Sequence, residues 1–411
     1  MIQNITFQSV RNQFQDQLKN DIKNITSSSK AFIPADKTRN FYEMDKDSHD
    51  KLYTENVTKT YKKADNSTYN KINVEAKAIA EELGIAEKTE CLAKSTAFIT
   101  LKDHKDDFHN NPKYRLINPT KPELGKVSKV VIENINKTVR EKSQVNQWHN
   151  SDDVINWFIN IKDKQNCTFT QFDIVEFYPS ISKELLKISL AHAMKYTEIS
   201  ENNQIVITHA RKSLLFTNQD HWVKKSGSPD FDVTMGSFDG AELCELVGLF
   251  ILHTMSEKHG KNTTGLYRDD GLCCFHNMTG PESDRVRKDL IKMFKDKFQL
   301  KITIQTNLKV VDFLDVTFNL TSGTYQPYSK PNSQPIYVNA LSNHPPNILK
   351  RIPEMISERI SNISSNTDIF DRAAPIYNKA LTDSGYKEKI IYKEKKSTKT
   401  KKIETQKHNL V

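Results

Sequence analysis

The middle of this 411-residue chain predicts an α+β fold, a mainly antiparallel sheet with helices over one face. Three observations carry that prediction. Thr168-Phe-Thr-Gln-Phe-Asp173 alternates as a strand does. Leu266–Phe275 reads as strand, turn, strand around Arg268-Asp-Asp-Gly271. Segments of helical spacing separate these runs, giving the order strand, helix, helix, strand hairpin, helix, strand.

Each element has a local reason. Residues 1–95 are polar and rich in Asn and Lys, with helices expected over 2–25 and 70–83. The second carries Ile72, Ala76, Ile79, Ala80 and Leu83 on one stripe and stops at Gly84. Thr96–Leu101 and Tyr114–Ile117 are short strands joined by a polar stretch, bracketed by the breakers Pro112 and Pro119, and predict a hairpin. Val127–Glu141 is helical. Pro179 ends the strand element that begins at Thr168. Ser182 is an N-cap for a helix from Lys183 to about Lys195. Leu243, Leu246, Val247 and Phe250 set a helical stripe within Ala241–Met255, and Asp284–Phe298 forms a third helix. Lys301–Gln305 and Val311–Leu320 are strands, Gly323 marks a turn, and 340–386 is helical again.

Composition narrows the function classes. Only 12 glycines occur, and no Gly-rich phosphate loop or dinucleotide fingerprint is found. The five cysteines form no C-x-x-C pair and no zinc ladder, which fits a reducing, intracellular setting. The N-terminus is polar, and the longest apolar run, Leu243–Met255, is too short to span a bilayer, so no membrane partner is expected. The net charge is +9, concentrated between residues 387 and 407, where nine Lys face three Glu. That tail is either a solvated, disordered end or an attractant for nucleic acid.

Three acids hold the chemistry. Asp173 ends a predicted strand, and Asp269 and Asp270 sit in the predicted hairpin 96 residues later. Neighbouring strands can bring both places together. Asp173 and Asp269 could then bridge Mg²⁺ ions, hard cations that prefer oxygen ligands and retain waters or phosphates. Two such ions clamp the attacking and leaving oxygens of a phosphoryl transfer. Taken alone, Asp-Asp-Gly is also an ordinary turn.

These residues match a family pattern. Asp173-Ile-Val-Glu-Phe-Tyr178 resembles motif A of reverse transcriptases, and Tyr267-Arg-Asp-Asp270 resembles their motif C. Downstream, Val311-Asp-Phe-Leu-Asp-Val-Thr-Phe318, Pro327-Tyr-Ser-Lys-Pro331, Tyr337 and Ser342-Asn-His-Pro345 resemble the Penelope-like retroelement branch. The likeness covers roughly residues 96–385. It implies a right-hand polymerase: a helical N-terminal extension (1–95), fingers (96–167), palm (168–330), helical thumb (331–386) and a disordered tail (387–411). It implies an RNA template, a DNA primer, dNTPs and two Mg²⁺, with Mn²⁺ as a substitute, in a nuclear protein.

The resemblance also assigns roles. Asp173, Asp269 and the backbone carbonyl of Ile174 become metal ligands, with Asp270 the less direct acid. Tyr178 falls where an aromatic ring crowds a ribose 2′-OH, or it is a core aromatic. Arg115 resembles the fingers arginine that holds the triphosphate, with Lys102 or Lys105 assisting; an ordinary strand cation is the other reading. Phe313 and Leu314 fall in the primer-grip hairpin, where a structural role is equally natural. Lys301 and Lys309 are either proton donors or surface lysines. The motif B counterpart, Met235-Gly-Ser-Phe-Asp-Gly-Ala241, keeps Gly236 and Ser237, where nucleotide contacts are implied, but lacks both family prolines. The GIY-YIG endonuclease common in that branch is not expected in this chain. A nucleic-acid-binding remnant and a metal-dependent nuclease stay open as alternatives.

Overall fold

The computed structural model describes residues 13–89, 95–103, 107, 108, 110, 112–218, 220–225, 231–330 and 333–394. The chain forms two compact units, Met1–Thr324 with Tyr328–Gln334, and Tyr325–Pro327 with Pro335–Val411.

At the heart of the first unit is a five-stranded sheet. Its order is Ile302–Leu308, Cys167–Ile174, Asp270–His276, Thr264–Tyr267, Asn146–Gln147. Every pairing is antiparallel except that of the short last strand. The fold is therefore mixed α+β with an antiparallel sheet, as the sequence order predicts. Cys167–Ile174 is nearly continuously buried, which suits a strand covered on both faces.

Alternation puts Phe172 and Ile174 on one face and Phe169, Gln171 and Asp173 on the other. The first face meets the main core, built with Ile132 and Val139 of helix Gly125–Ser143, Leu186 and Leu190 of Lys183–Ala193, and Leu243 and Leu252 of Gly240–His259. Ser182 caps its helix by accepting from the Leu185 N–H at 3.0 Å. The opposite face is also covered: helix Ser151–Asn160 brings Phe158 to Phe169 and Phe318, with ring centroids 6.2 and 5.0 Å apart. The expectation of helices on one face alone is corrected by this helix, whose Asn150 cap and Val154, Ile155, Phe158 stripe the sequence does contain.

Two glycines are dictated by close approach. A Cβ on Gly271 would lie 2.0 Å from the Phe172 ring across the ladder, and one on Gly265 would lie 2.2 Å from Trp148. The expected hairpin of Phe98–Leu101 with Tyr114–Ile117 is present. Val311–Leu320 is in fact two strands, Val310–Phe313 and Val316–Asn319, folded back at Leu314. Pro179 lies inside the short helix Phe177–Ser180 rather than ending an element.

Residues 13–89 combine helices with strands. Lys30–Pro34 and Phe41–Asp45 form a hairpin, and Tyr61–Lys63 pairs with His221–Lys224. This region is not an unstructured appendage. Ala35 bridges to Leu101, and Ile33, Ile99 and Leu101 share a small core.

In the second unit, helices Pro346–Asn362 and Thr367–Asp383 pack together around Ile356, Ile360, Ile369 and Phe370. The segment read as the start of a disordered tail lies along them. The N–H groups of Ile390, Ile391 and Lys393 donate to Asn378 Oδ1, Ser357 Oγ and Ser361 Oγ at 2.8, 3.1 and 2.9 Å. The rest of that tail, 395–411, lies outside the described residues. Among the described residues no helix is long and apolar enough to cross a membrane.

Candidate active site

The sheet brings the three acids together. Asp270 stands directly opposite Asp173 in the ladder, so both side chains leave the same face. Asp269 occupies the two-residue turn between Tyr267 and Asp270, and Arg268 takes the left-handed conformation that the turn needs (φ 53°). The Ile174 N–H donates to the Asp269 carbonyl at 2.9 Å, tying the turn to the end of the acid strand. The Ile174 side chain is buried, so only its main chain is presented at that end.

Like charges on neighbouring strands have a measurable consequence. Asp270 is pushed up to about 6, first by burial and then by Asp269, with Asp173 adding to the effect. Lys37 and Lys330 oppose it. A carboxyl raised by burial and by two neighbouring acids, as Asp270 is, is one that a nearby hard divalent cation relieves. Among the described residues no three His, Cys, Asp or Glu side chains are grouped so that they could hold a metal ion. Asp173 and Asp270 on one face, with the main chain at Ile174, offer oxygen donors, the kind a hard cation takes.

Tyr178 stands on Phe177–Ser180, entered through Glu176 at φ 49°. Its ring packs over Gly240, where a Cβ would sit 3.4 Å from Cε1. Burial, with Cys244 and Asp269 nearby, pushes its hydroxyl well above the usual range. The ring is half-buried, with Asp269 close by.

Gly236 has φ 101°, and a Cβ there would meet Pro119 Cα at 3.2 Å and the Asn118 carbonyl oxygen at 3.3 Å. The loop is thus pressed onto the 118–119 backbone, and Ser237 Oγ donates to the Thr234 carbonyl at 3.1 Å. Phe238, standing where the family pattern has proline, carries the Lys121 and Lys126 ammonium groups 4.9 and 5.6 Å from its ring centroid. Asp239 is fully buried in an ion pair with Arg211, which is also fully buried. Sequence reasoning missed this pair, since residues 211 and 239 share no spacing signal.

The remaining candidates divide. Arg115 donates from Nη1 to Asp36 Oδ1 at 2.8 Å. The Lys102 N–H donates to the Lys113 carbonyl just beyond the last pair of the Phe98–Leu101 and Tyr114–Ile117 hairpin. Lys105 lies outside the described residues. Phe313 is buried edge-on against Trp148, with centroids 5.5 Å apart, and Leu314 makes the turn at φ 57°. Lys309 donates to the carbonyls of Gln165 and Cys167, both at 2.7 Å, at the far end of the acid strand, so it has a structural task. Lys37 and Lys330, which oppose the rise at Asp270, carry no spacing signal of their own, though Lys330 lies within Tyr328-Ser-Lys-Pro331.

No family model matches this chain, and no curated protein matches it. Solved structures do. Telomerase from Candida albicans, in complex with a fragment of telomeric RNA, superposes with a TM-score of 0.59 at 10% identity, covering 92% of this chain and 68% of that one. Apo telomerase from Candida tropicalis gives 0.56 at 11% identity, covering 92% and 72%. The chain has the right-hand polymerase fold. At such identities the right-hand fold is what is shared, and each side chain has to be argued from its own surroundings.

Proposed function

We propose that the chain is an RNA-directed DNA polymerase of a retroelement, most similar to the Penelope-like branch. The observation that supports this most is the register that sets Asp270 against Asp173, with Asp269 at the adjoining turn. The telomeric RNA fragment bound by the Candida albicans telomerase supports an RNA partner. In this reading 1–95 is an N-terminal extension, 96–167 the fingers, 168–330 the palm, 331–386 the thumb and 387–411 a basic tail of a nuclear protein.

Asp173 and Asp269, with the Ile174 carbonyl, would hold two Mg²⁺, or Mn²⁺ in their place. When bound, these ions neutralise phosphate charge and favour attack by the primer 3′-OH. The protein supplies positioning and charge. Asp270 tunes the acid pair through its proximity. Tyr178 crowds the sugar 2′ position, so dNTPs are preferred. Arg115 binds the triphosphate, Lys102 and Lys105 assist it, and Gly236 lets its loop approach the nucleotide. Phe313 and Leu314 form the hairpin that supports the primer end.

The test is primer extension on matched RNA and DNA templates with Mg²⁺ and either dNTPs or rNTPs. Extension on RNA with dNTPs is the expected result. Extension only with rNTPs would replace the reading by an RNA-synthesising one. Salt-sensitive binding without any extension would favour the nucleic-acid-binding remnant, and cleavage without nucleotides would favour the nuclease.

A further inference from the structure

The N-terminal extension is joined to the fingers-like hairpin by more than apolar contact. Ala35 bridges to Leu101, and the Asp36 N–H donates to the Leu101 carbonyl at 2.7 Å. The chain then continues past the hairpin edge, where Thr38, Asn40 and Tyr42 all donate to buried Asp103. Residues 35–42 are thereby fixed at both ends.

Asp36 is the charged residue of that strap that faces the hairpin. Its side chain is 7% exposed, and Oδ1 accepts from Arg115 Nη1 at 2.8 Å. The Arg115 side chain keeps 27% of its surface open, and its ion-pair contact with Asp36 runs through Nη1. A guanidinium has five N–H donors in a fixed fork. One edge can therefore be held by a carboxylate while another faces a ligand. The strand that carries Arg115 runs on into Asn118 and Pro119, the backbone against which Gly236 is pressed.

We infer that Asp36 is a positioning residue for Arg115: a carboxylate from the N-terminal extension that fixes the guanidinium for the phosphates of the incoming nucleotide. This inference rests on the polymerase reading above. Asp36 touches no substrate itself. A buried carboxylate would be left uncompensated if Arg115 swung away, so the pair resists dissociation and holds the arginine in one place.

The experiment is steady-state primer extension, with KM for the dNTP and kcat resolved, for Asp36→Ala, Asp36→Asn, Arg115→Ala and the double variant Asp36→Ala with Arg115→Ala. Equilibrium binding of a non-hydrolysable dNTP analogue to the protein–primer–template complex is measured beside it. Loss of a residue that orients a metal ligand typically costs about 10–100-fold, and an arginine held by one carboxylate is expected to respond on the same order. Asp36→Ala is expected to raise KM and weaken analogue binding by roughly tenfold or more, with kcat little changed. Asp36→Asn, which keeps an acceptor oxygen, should recover most of the loss. The double variant should resemble Arg115→Ala alone, because the two act through one interaction.

A KM for Asp36→Ala equal to wild type would overturn the inference. Full additivity with Arg115→Ala would also overturn it. If Asp36→Ala fails to fold, Asp36→Leu replaces it in the same comparison and in the cycle with Arg115→Ala, with the same expected and overturning results. A wild type that extends no primer at all would instead defeat the polymerase reading on which the inference depends, so the two failures are distinguishable.

Discussion

The acid-bearing sheet and the N-terminal strap are held by different forces. Around Cys167–Ile174, burial is apolar: Phe172, Ile174, Leu243, Leu252 and Leu266 belong to one large cluster. Around residues 33–42 the shared core is small, and fixed polar pairs complete it: Asp36 with Arg115, and Asp103 with Thr38, Asn40 and Tyr42. Tyr61 extends the pattern, donating to buried Asp232 at 2.7 Å, while Lys224 joins Asp232 to the Pro179 carbonyl. The difference teaches a division of labour. Non-directional burial sets the ladder that pairs Asp173 with Asp270, and directional polar contacts place cations beside it.

The sharpest way to break this comparison is to cut the apolar side. Phe172→Ala removes a fully buried ring that packs over Gly271 and lies 5.3 Å from Phe294, centroid to centroid. Chemical denaturation should show a loss of about 3–5 kcal/mol across the whole first unit. A loss below about 1 kcal/mol would mean that the sheet does not depend on this core.

The polar side should fail more locally. Asp103→Ala strands three donors, at about 1–3 kcal/mol for buried polar groups left unpaired. Hydrogen exchange should quicken in residues 30–45 and 98–117, with amides of Cys167–Ile174 unchanged. Equal loosening of both regions would contradict the division.

Asp270→Asn refines the electrostatics. Asp270 is raised to about 6, so the native state holds its proton more tightly than the unfolded chain does. Stability from this group is therefore highest below about pH 4 and is lost as pH rises to about 6. Burial sets it first, then Asp269, with Asp173 adding to it and Lys37 and Lys330 opposing. In cation-free buffer at pH 7 the Asn variant should melt higher, by an amount on the order of 1 kcal/mol after allowing for screening. The gap should close below pH 4 and shrink when Mg²⁺ is added. A gap independent of pH would point to packing instead.

The smallest effect is expected at Leu314, held at φ 57°. Leu314→Gly relieves the left-handed strain but frees the unfolded chain, for a net gain of roughly a few tenths of a kcal/mol. If this turn supports the primer end, extension should nevertheless fall. Unchanged extension would leave Leu314 a purely structural turn.

The same division explains what was legible in the sequence. The sheet and its main helices show through periodicity and caps, as with Ser182 and the Leu243 to Phe250 stripe. So do the three acids, because strand and turn chemistry place them. The strap is different. Helix Lys46–Thr60 buries only Val57, so it carries almost no apolar stripe. Pairs such as 36 with 115, 38 with 103 and 61 with 232 leave no spacing to read, because tertiary contact alone selects them. Arg211 with Asp239 is the same case in the Gly236 loop. The fully buried acid is set by a partner 28 residues away rather than by its own motif.

The central claim is that the Asp173–Asp270 register with its Asp269 turn is a nucleotidyl-transfer site. The most direct test is the single-nucleotide extension rate on an RNA template with a DNA primer, comparing wild type with Asp173→Asn and Asp269→Asn. Both variants keep side-chain shape, and circular dichroism should confirm the fold. The account predicts wild-type extension and a loss of about a thousandfold or more in each variant, equivalent to about 4 kcal/mol of transition-state stabilisation. Extension by either variant at a rate near wild type would contradict it.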